Sequence, residues 1–201
     1  MRATTDTQTD LIVAQSPRPG AVKFFLAWIG LGLLGFPLGG YLGHLVAGPV
    51  DGVMPALLGG ALTGAGIGLA QWVMLRKHLG VGPGWIATTS VSLAAGLATG
   101  AAAVDYGTTT SKLAIMGAIC GAFVGIAQGL MMRGRFSGWF AWIVAMPALW
   151  ALGWVVTDAW GIDVEERFTV FGASGSIAFG ALSAAMLLVG IRGSRDAKAR
   201  M

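Results

Sequence analysis

Long apolar runs separated by short polar punctuation organise this chain. Six stretches, at about residues 24–46, 53–75, 85–104, 113–132, 137–157 and 168–191, contain no Asp, Glu, Lys or Arg. A bilayer core about 30 Å thick needs about 20 apolar residues in helical form, so each stretch predicts a membrane-spanning helix. The expected fold class is all-α: one polytopic membrane domain over 24–191, flanked by a polar tail at 1–23 and a basic tail at 192–201. The first span is too long for the apolar core of a secretory signal and shares in the repeat described next, which predicts that it is retained.

The pattern recurs. Ala27-Trp28-Ile29, Gly84-Trp85-Ile86 and Ala141-Trp142-Ile143 are spaced by 57 residues, and Gly39, Gly96 and Gly153 follow each at the same offset. The even-numbered spans repeat as well: Gly60 to Gln71 aligns without gaps on Gly117 to Gln128, and a weaker third copy runs from Gly172 to Ser183. The period predicts three tandem helical hairpins, at about 24–80, 81–137 and 138–191, all with the same orientation. Such copies form either a pseudo-threefold ring about the membrane normal or a linear row, and the ring is the preferred arrangement.

Within each even span the small residues fall on one helix face. Gly60, Gly64, Gly68 and Gln71 lie at i, i+4, i+8 and i+11, as do Gly117, Gly121, Gly125 and Gln128, then Gly172, Ser176, Gly180 and Ser183. Membrane helices gain contact by close backbone approach, so these stripes predict helix–helix seams instead of lipid-facing surface. A Gln amide in hydrocarbon needs a partner. Gln71 and Gln128, with Ser183, therefore either form interhelical hydrogen bonds in packed seams or line a central cavity.

Charge sets an expected orientation. Arg2, Arg18, Lys23, Arg76, Lys77, Arg133, Arg135, Arg192, Arg195, Lys198 and Arg200 fall on one side of the spans, and only Lys112 and Arg167 on the other. The positive-inside rule then predicts both termini in the cytoplasm. Asp51, Asp105, Asp158, Asp163, Glu165 and Glu166 collect on the opposite side. Trp28, Trp72, Trp85, Trp139 and Trp142 sit at the basic ends of spans, where indoles form interfacial belts.

Composition agrees with a lipid environment. Of 201 residues, 55% are hydrophobic and 11% charged, and the mean hydropathy is +0.74, more apolar than a soluble core of this length requires. The net charge of +4 reports topology, because the basic residues lie between spans, and no nucleic-acid partner is expected. The single cysteine, Cys120, lies mid-span and reads as a small buried thiol.

The string Gly68-Leu69-Ala70-Gln71-Trp72-Val73-Met74-Leu75-Arg76 resembles the Gly-Leu-x-Gln-Trp-x-x-Leu-Arg element of small, uncharacterised multi-pass membrane proteins from bacteria. It covers one span well and fades in the later copies, where Gly129 and Met132 replace the Trp and Leu. The resemblance implies a bacterial cytoplasmic (inner) membrane location and brings no catalytic residue.

Chemistry-bearing residues are sparse. The period maps His44 onto Ala101 and Ala101 onto Asp158, with Asp105 one turn away, so His44, Asp105 and Asp158 form a candidate polar cluster at the acidic end. Headgroup-solvated interfacial residues are the plainer reading of the same three. His78 sits beside Arg76 and Lys77 and reads as interfacial charge. No catalytic set, metal-ligand set or cofactor motif is present in the pattern, so no cofactor and no enzymatic activity are expected. Two functions remain. One is a non-enzymatic accessory or scaffold subunit that assembles with itself or another membrane protein through its small-residue faces. The other is a small transporter or channel for a neutral or weakly polar solute held on the repeat axis. If the acidic-end cluster is functional, replacing His44 or Asp158 should abolish a pH-dependent property while membrane expression persists; unchanged pH behaviour in both variants overturns that reading.

Overall fold

A computed structural model describes residues 19–161 and 168–199, with side chains over 20–161 and 173–194. These residues form six helices and no strand: α1 Pro19–Ala47, α2 Val53–His78, α3 Gly84–Ala103, α4 Thr110–Met132, α5 Trp139–Ala159 and α6 Phe168–Ala199. Each includes a span long and apolar enough to cross a membrane. Pro37 and Pro147 lie inside α1 and α5 without ending them. Asp163, Glu165, Glu166 and Arg167, the side chains of Arg195 and Lys198, and Arg2, Arg18 and Arg200 lie outside the described residues.

Consecutive helices pack side by side, and α6 returns to pack against α1, which closes the six into a ring. Glycine sets the spacing of every seam. Within hairpins, a Cβ on Gly39 would meet the Thr63 backbone oxygen at 2.8 Å, one on Gly96 the Cys120 Cα at 3.0 Å, and one on Gly153 the Gly175 oxygen at 3.3 Å. The three odd-helix glycines of the 57-residue series thus touch one equivalent level of the following even helix. Between hairpins, the even-helix stripes do the corresponding work. Gly60, Gly64 and Gly68 lie against the α3 backbone at Ala94, Thr89 and Ile86, whereas Gly117 and Gly121 lie against α5 at Ala151 and Met146. Gly180 faces Ile29 across the closing seam. The stripes therefore face helices of the same chain.

Outside the ring the surface is aliphatic: Leu26, Leu33, Leu34, Leu38, Leu42 and Leu45 are exposed along α1 alone, a surface suited to acyl chains. At the basic end the indoles depart from the interfacial belt that their positions predict. Trp28, Trp85 and Trp142 are buried, with at most 4% of their surface accessible, because their N–H groups find polar partners inside the ring. Trp72 and Trp139 do sit beside charge, with the Arg76 guanidinium 4.7 Å from the Trp72 ring centroid and that of Arg133 5.5 Å from Trp139.

Helix exits use left-handed backbone, as at Gly48 after α1 with φ 74°. At the exit from α3 two residues other than glycine take that region, Asp105 with φ 51° and Tyr106 with φ 54°. A short carboxylate tolerates that geometry. A tyrosine does so at a cost, and the turn carries Tyr106 into the lining of an internal cavity.

The seam geometry makes a direct prediction. Gly64→Ala would put a methyl 2.7 Å from the Thr89 carbonyl oxygen and 2.8 Å from the Ser90 Cα, an overpacking cost of about 1–3 kcal/mol. Gly30, also helical, has nothing within 4 Å of a Cβ. Thermal unfolding in detergent should show Gly64→Ala destabilised and Gly30→Ala unchanged or slightly stabilised; equal behaviour would refute glycine-set seams.

Candidate functional site

An open cavity of about 470 Å³ lies in the acidic-end half, its described lining drawn from α1 to α5 and the turns after α1 and α3, and its volume is within the range of small-molecule sites. Its described lining begins near the acidic end at His44, Pro49, Val50, Asp51, Tyr106 and Thr108, and runs inward to Phe36, Ile67, Leu93 and Trp150. From the start of α2 to Ile67 is 14 residues, about 21 Å of helix rise. The cavity thus reaches the middle of the ring.

The repeat explains where this space comes from. Phe36, Leu93 and Trp150 are 57 residues apart and occupy one level of the wall, and Gly40, Leu97 and Trp154 occupy the next. At the second level the first hairpin contributes no side chain, and a Cβ on Gly40 would have nothing within 4 Å. The volume lies where Leu97 and Trp154 have no counterpart. Below it, Phe36, Trp150 and Phe179 meet in an aromatic triangle, with ring centroids 5.4 to 5.9 Å apart, joining α1, α5 and α6. The Trp150 N–H in this triangle is buried without a hydrogen-bond partner. Ile67, Val124 and Phe179, equivalent residues of the three even helices, belong to the same buried core.

One turn further toward the basic end lies a buried polar layer. Trp85 Nε1 donates to Gln71 Oε1 at 3.2 Å, and Trp142 Nε1 donates to Gln128 Oε1 at 3.2 Å. In the third seam Trp28 Nε1 donates to Ser183 Oγ at 2.9 Å. Each indole therefore reaches back to the even helix of the hairpin before it, and the third clasp closes the cycle between α1 and α6. The two amides also meet each other: Gln128 Nε2 donates to Gln71 Oε1 at 2.8 Å and to Thr89 Oγ1 at 3.0 Å. Thr89 passes its own proton to the Trp85 carbonyl at 2.9 Å. Gln128 and Ser183 are fully buried and Gln71 is 6% accessible. The cavity lining stops short of all three, and the void beside Gln71 is only about 10 Å³.

The acidic-end candidates are placed differently from one another. His44 lines the cavity, whereas neither Asp105 nor Asp158 does. Asp158 accepts a hydrogen bond from Thr110 Oγ1, which ties α5 to α4, and Asp105 is exposed in the left-handed turn after α3. Among the described residues no group of three or more His, Cys, Asp or Glu side chains could hold a metal. His78 is capped locally, its Nδ1 2.8 Å from the Met74 carbonyl, with Phe24 edge-on to its ring.

Two features went unread in the sequence. The spacing from Gln71 to Trp85 equals that from Gln128 to Trp142, 14 residues in each case, and it marked the indoles as partners of the amides. Gly40 falls in register with Leu97 and Trp154, and that comparison marked the missing volume. The chain matches no protein-family model, no curated protein and no solved structure.

The polar layer predicts an order of costs. Gln128→Leu removes two donated bonds and strands the fully buried Trp142 N–H, which should cost about 1–3 kcal/mol. Ser183→Ala strands the buried Trp28 N–H and removes one local donated bond but breaks no amide–amide contact, so it should cost less, toward about 1 kcal/mol. Unfolding titrations of both variants check the ranking.

Proposed function

We propose that this protein is a small-molecule carrier of the membrane, whose axial cavity takes a small solute with a mainly apolar body from the acidic face. The observation that carries this reading is the cavity itself: its wall carries residues spaced 57 apart in α1, α3 and α5, and it stops short of a buried layer of hydrogen-bonded amides and indoles. A site on the repeat axis near the middle of the membrane is where repeat-built carriers hold their solutes. The small-residue faces are used within the chain, so assembly with a partner needs some other surface.

The polar layer is the closed end of the pathway. Two of its clasps use Gln and the third uses the shorter Ser183, which makes the α1–α6 seam the place where the basic end would part. We further infer, from the loop charges and the resemblance of residues 68–76 to bacterial multi-pass proteins, that the membrane is the bacterial cytoplasmic membrane and that both termini lie in the cytoplasm. The solute then enters from the outer face.

The test uses protein extracted from its own membranes in mild detergent. Native mass spectrometry should find one small molecule per chain, and Gly40→Phe, which adds a ring to the cavity lining at a position where a Cβ has open space, should abolish it while leaving the fold intact. Absence of a stoichiometric solute, or one indifferent to Gly40→Phe, would sink the proposal. For orientation, an impermeant thiol reagent applied to intact cells should label Asp51→Cys and spare Lys77→Cys. Cys120 is fully buried and gives no background.

A further inference from the structure

Resting on the carrier reading, we infer that the solute is a lipophilic organic cation: an apolar or aromatic body with an amine or quaternary ammonium at one end. Its two parts match two parts of the cavity. The inner wall offers Ile67, Leu93 and Trp150, with no charged group among the described lining residues at that depth. Toward the acidic end the lining carries one carboxylate, Asp51, on the short turn between α1 and α2, together with the aromatic rings of Tyr106 and Trp154.

No Lys or Arg occurs among the described lining residues, and His44 is the lining's imidazole. A carboxylate near aromatic faces favours a cation and disfavours an anion: the ring quadrupole attracts positive charge, and the attraction is greatest for weakly hydrated organic cations. Tyr106 is placed there by left-handed backbone at φ 54°, packed beside Ala101, Val104 and Met116. The body of the ligand would lie inward against the aliphatic and indole wall, with its charged end at the level of Asp51. An anionic amphiphile of the same shape would meet the carboxylate, with His44 the one basic side chain among the described lining residues to offset it.

The experiment compares benzyltrimethylammonium with neopentylbenzene, its uncharged carbon isostere, on the full chain in nanodiscs, with empty nanodiscs to subtract partition into lipid. The cation should bind about five- to tenfold more tightly, from one cation–π contact and one partly screened carboxylate. Asp51→Asn should reduce that preference while leaving neopentylbenzene binding within about twofold, and Trp154→Leu should weaken the cation more than neopentylbenzene. If both probes bind equally and both are lost in Gly40→Phe, the cation inference falls and the carrier reading stands. If neither probe shows binding sensitive to Gly40→Phe, the axial site itself is overturned.

Discussion

Close approach of helix backbones at glycine is the constraint on which the rest of this structure depends. In a bilayer the lipid tails are as apolar as leucine, so burying more leucine does not hold helices together, and contact must come from bringing main chains near enough to touch. Gly39, Gly96 and Gly153 do this inside the hairpins, and the stripes beginning at Gly60 and Gly117 do it between them. With the seams set this tightly, six helices close around an axis, and the side chains aimed inward decide what the axis contains.

Those inward side chains divide the axis in two. At the basic-end half the indoles of Trp28, Trp85 and Trp142 bond to Ser183, Gln71 and Gln128, so that groups expensive to leave bare in hydrocarbon become a bonded partition. At the acidic-end half the repeats diverge: Gly40 in the first copy stands where the others place Leu97 and Trp154, and the space opens. Residues spaced 57 apart share the wall, and the side chain missing at Gly40 leaves room inside it.

Much of the fold could be read from the chain. The six spans and the small-residue seams follow from run length and from glycine at every fourth position, because both are local properties of a helix in lipid. The environment of Trp28, Trp85 and Trp142 was less accessible. An indole at the end of an apolar run carries the same local signal whether it faces headgroups or the interior, and only its alignment with Gln71, Gln128 and Ser183 separates the two. The cavity was the least legible feature, since it arises from the side chain Gly40 lacks, compared with residues 57 and 114 positions later. The acidic-end candidates illustrate a related point: His44 and Asp158 share a level by period, yet the lining takes one and the α4–α5 seam uses the other.

The clasp between Trp28 and Ser183 spans 155 residues, whereas the other two span 14 each. A chain emerging in order presents the Trp28 indole at the outset and its acceptor only with the sixth helix. The Gln71 and Gln128 clasps can form as soon as the following helix arrives, but the Trp28 N–H needs some other partner until Ser183 is in place. The smallest of the three acceptors thus stands at the join made last, where a modest polar contact seals a barrel that has already assembled on either side of it.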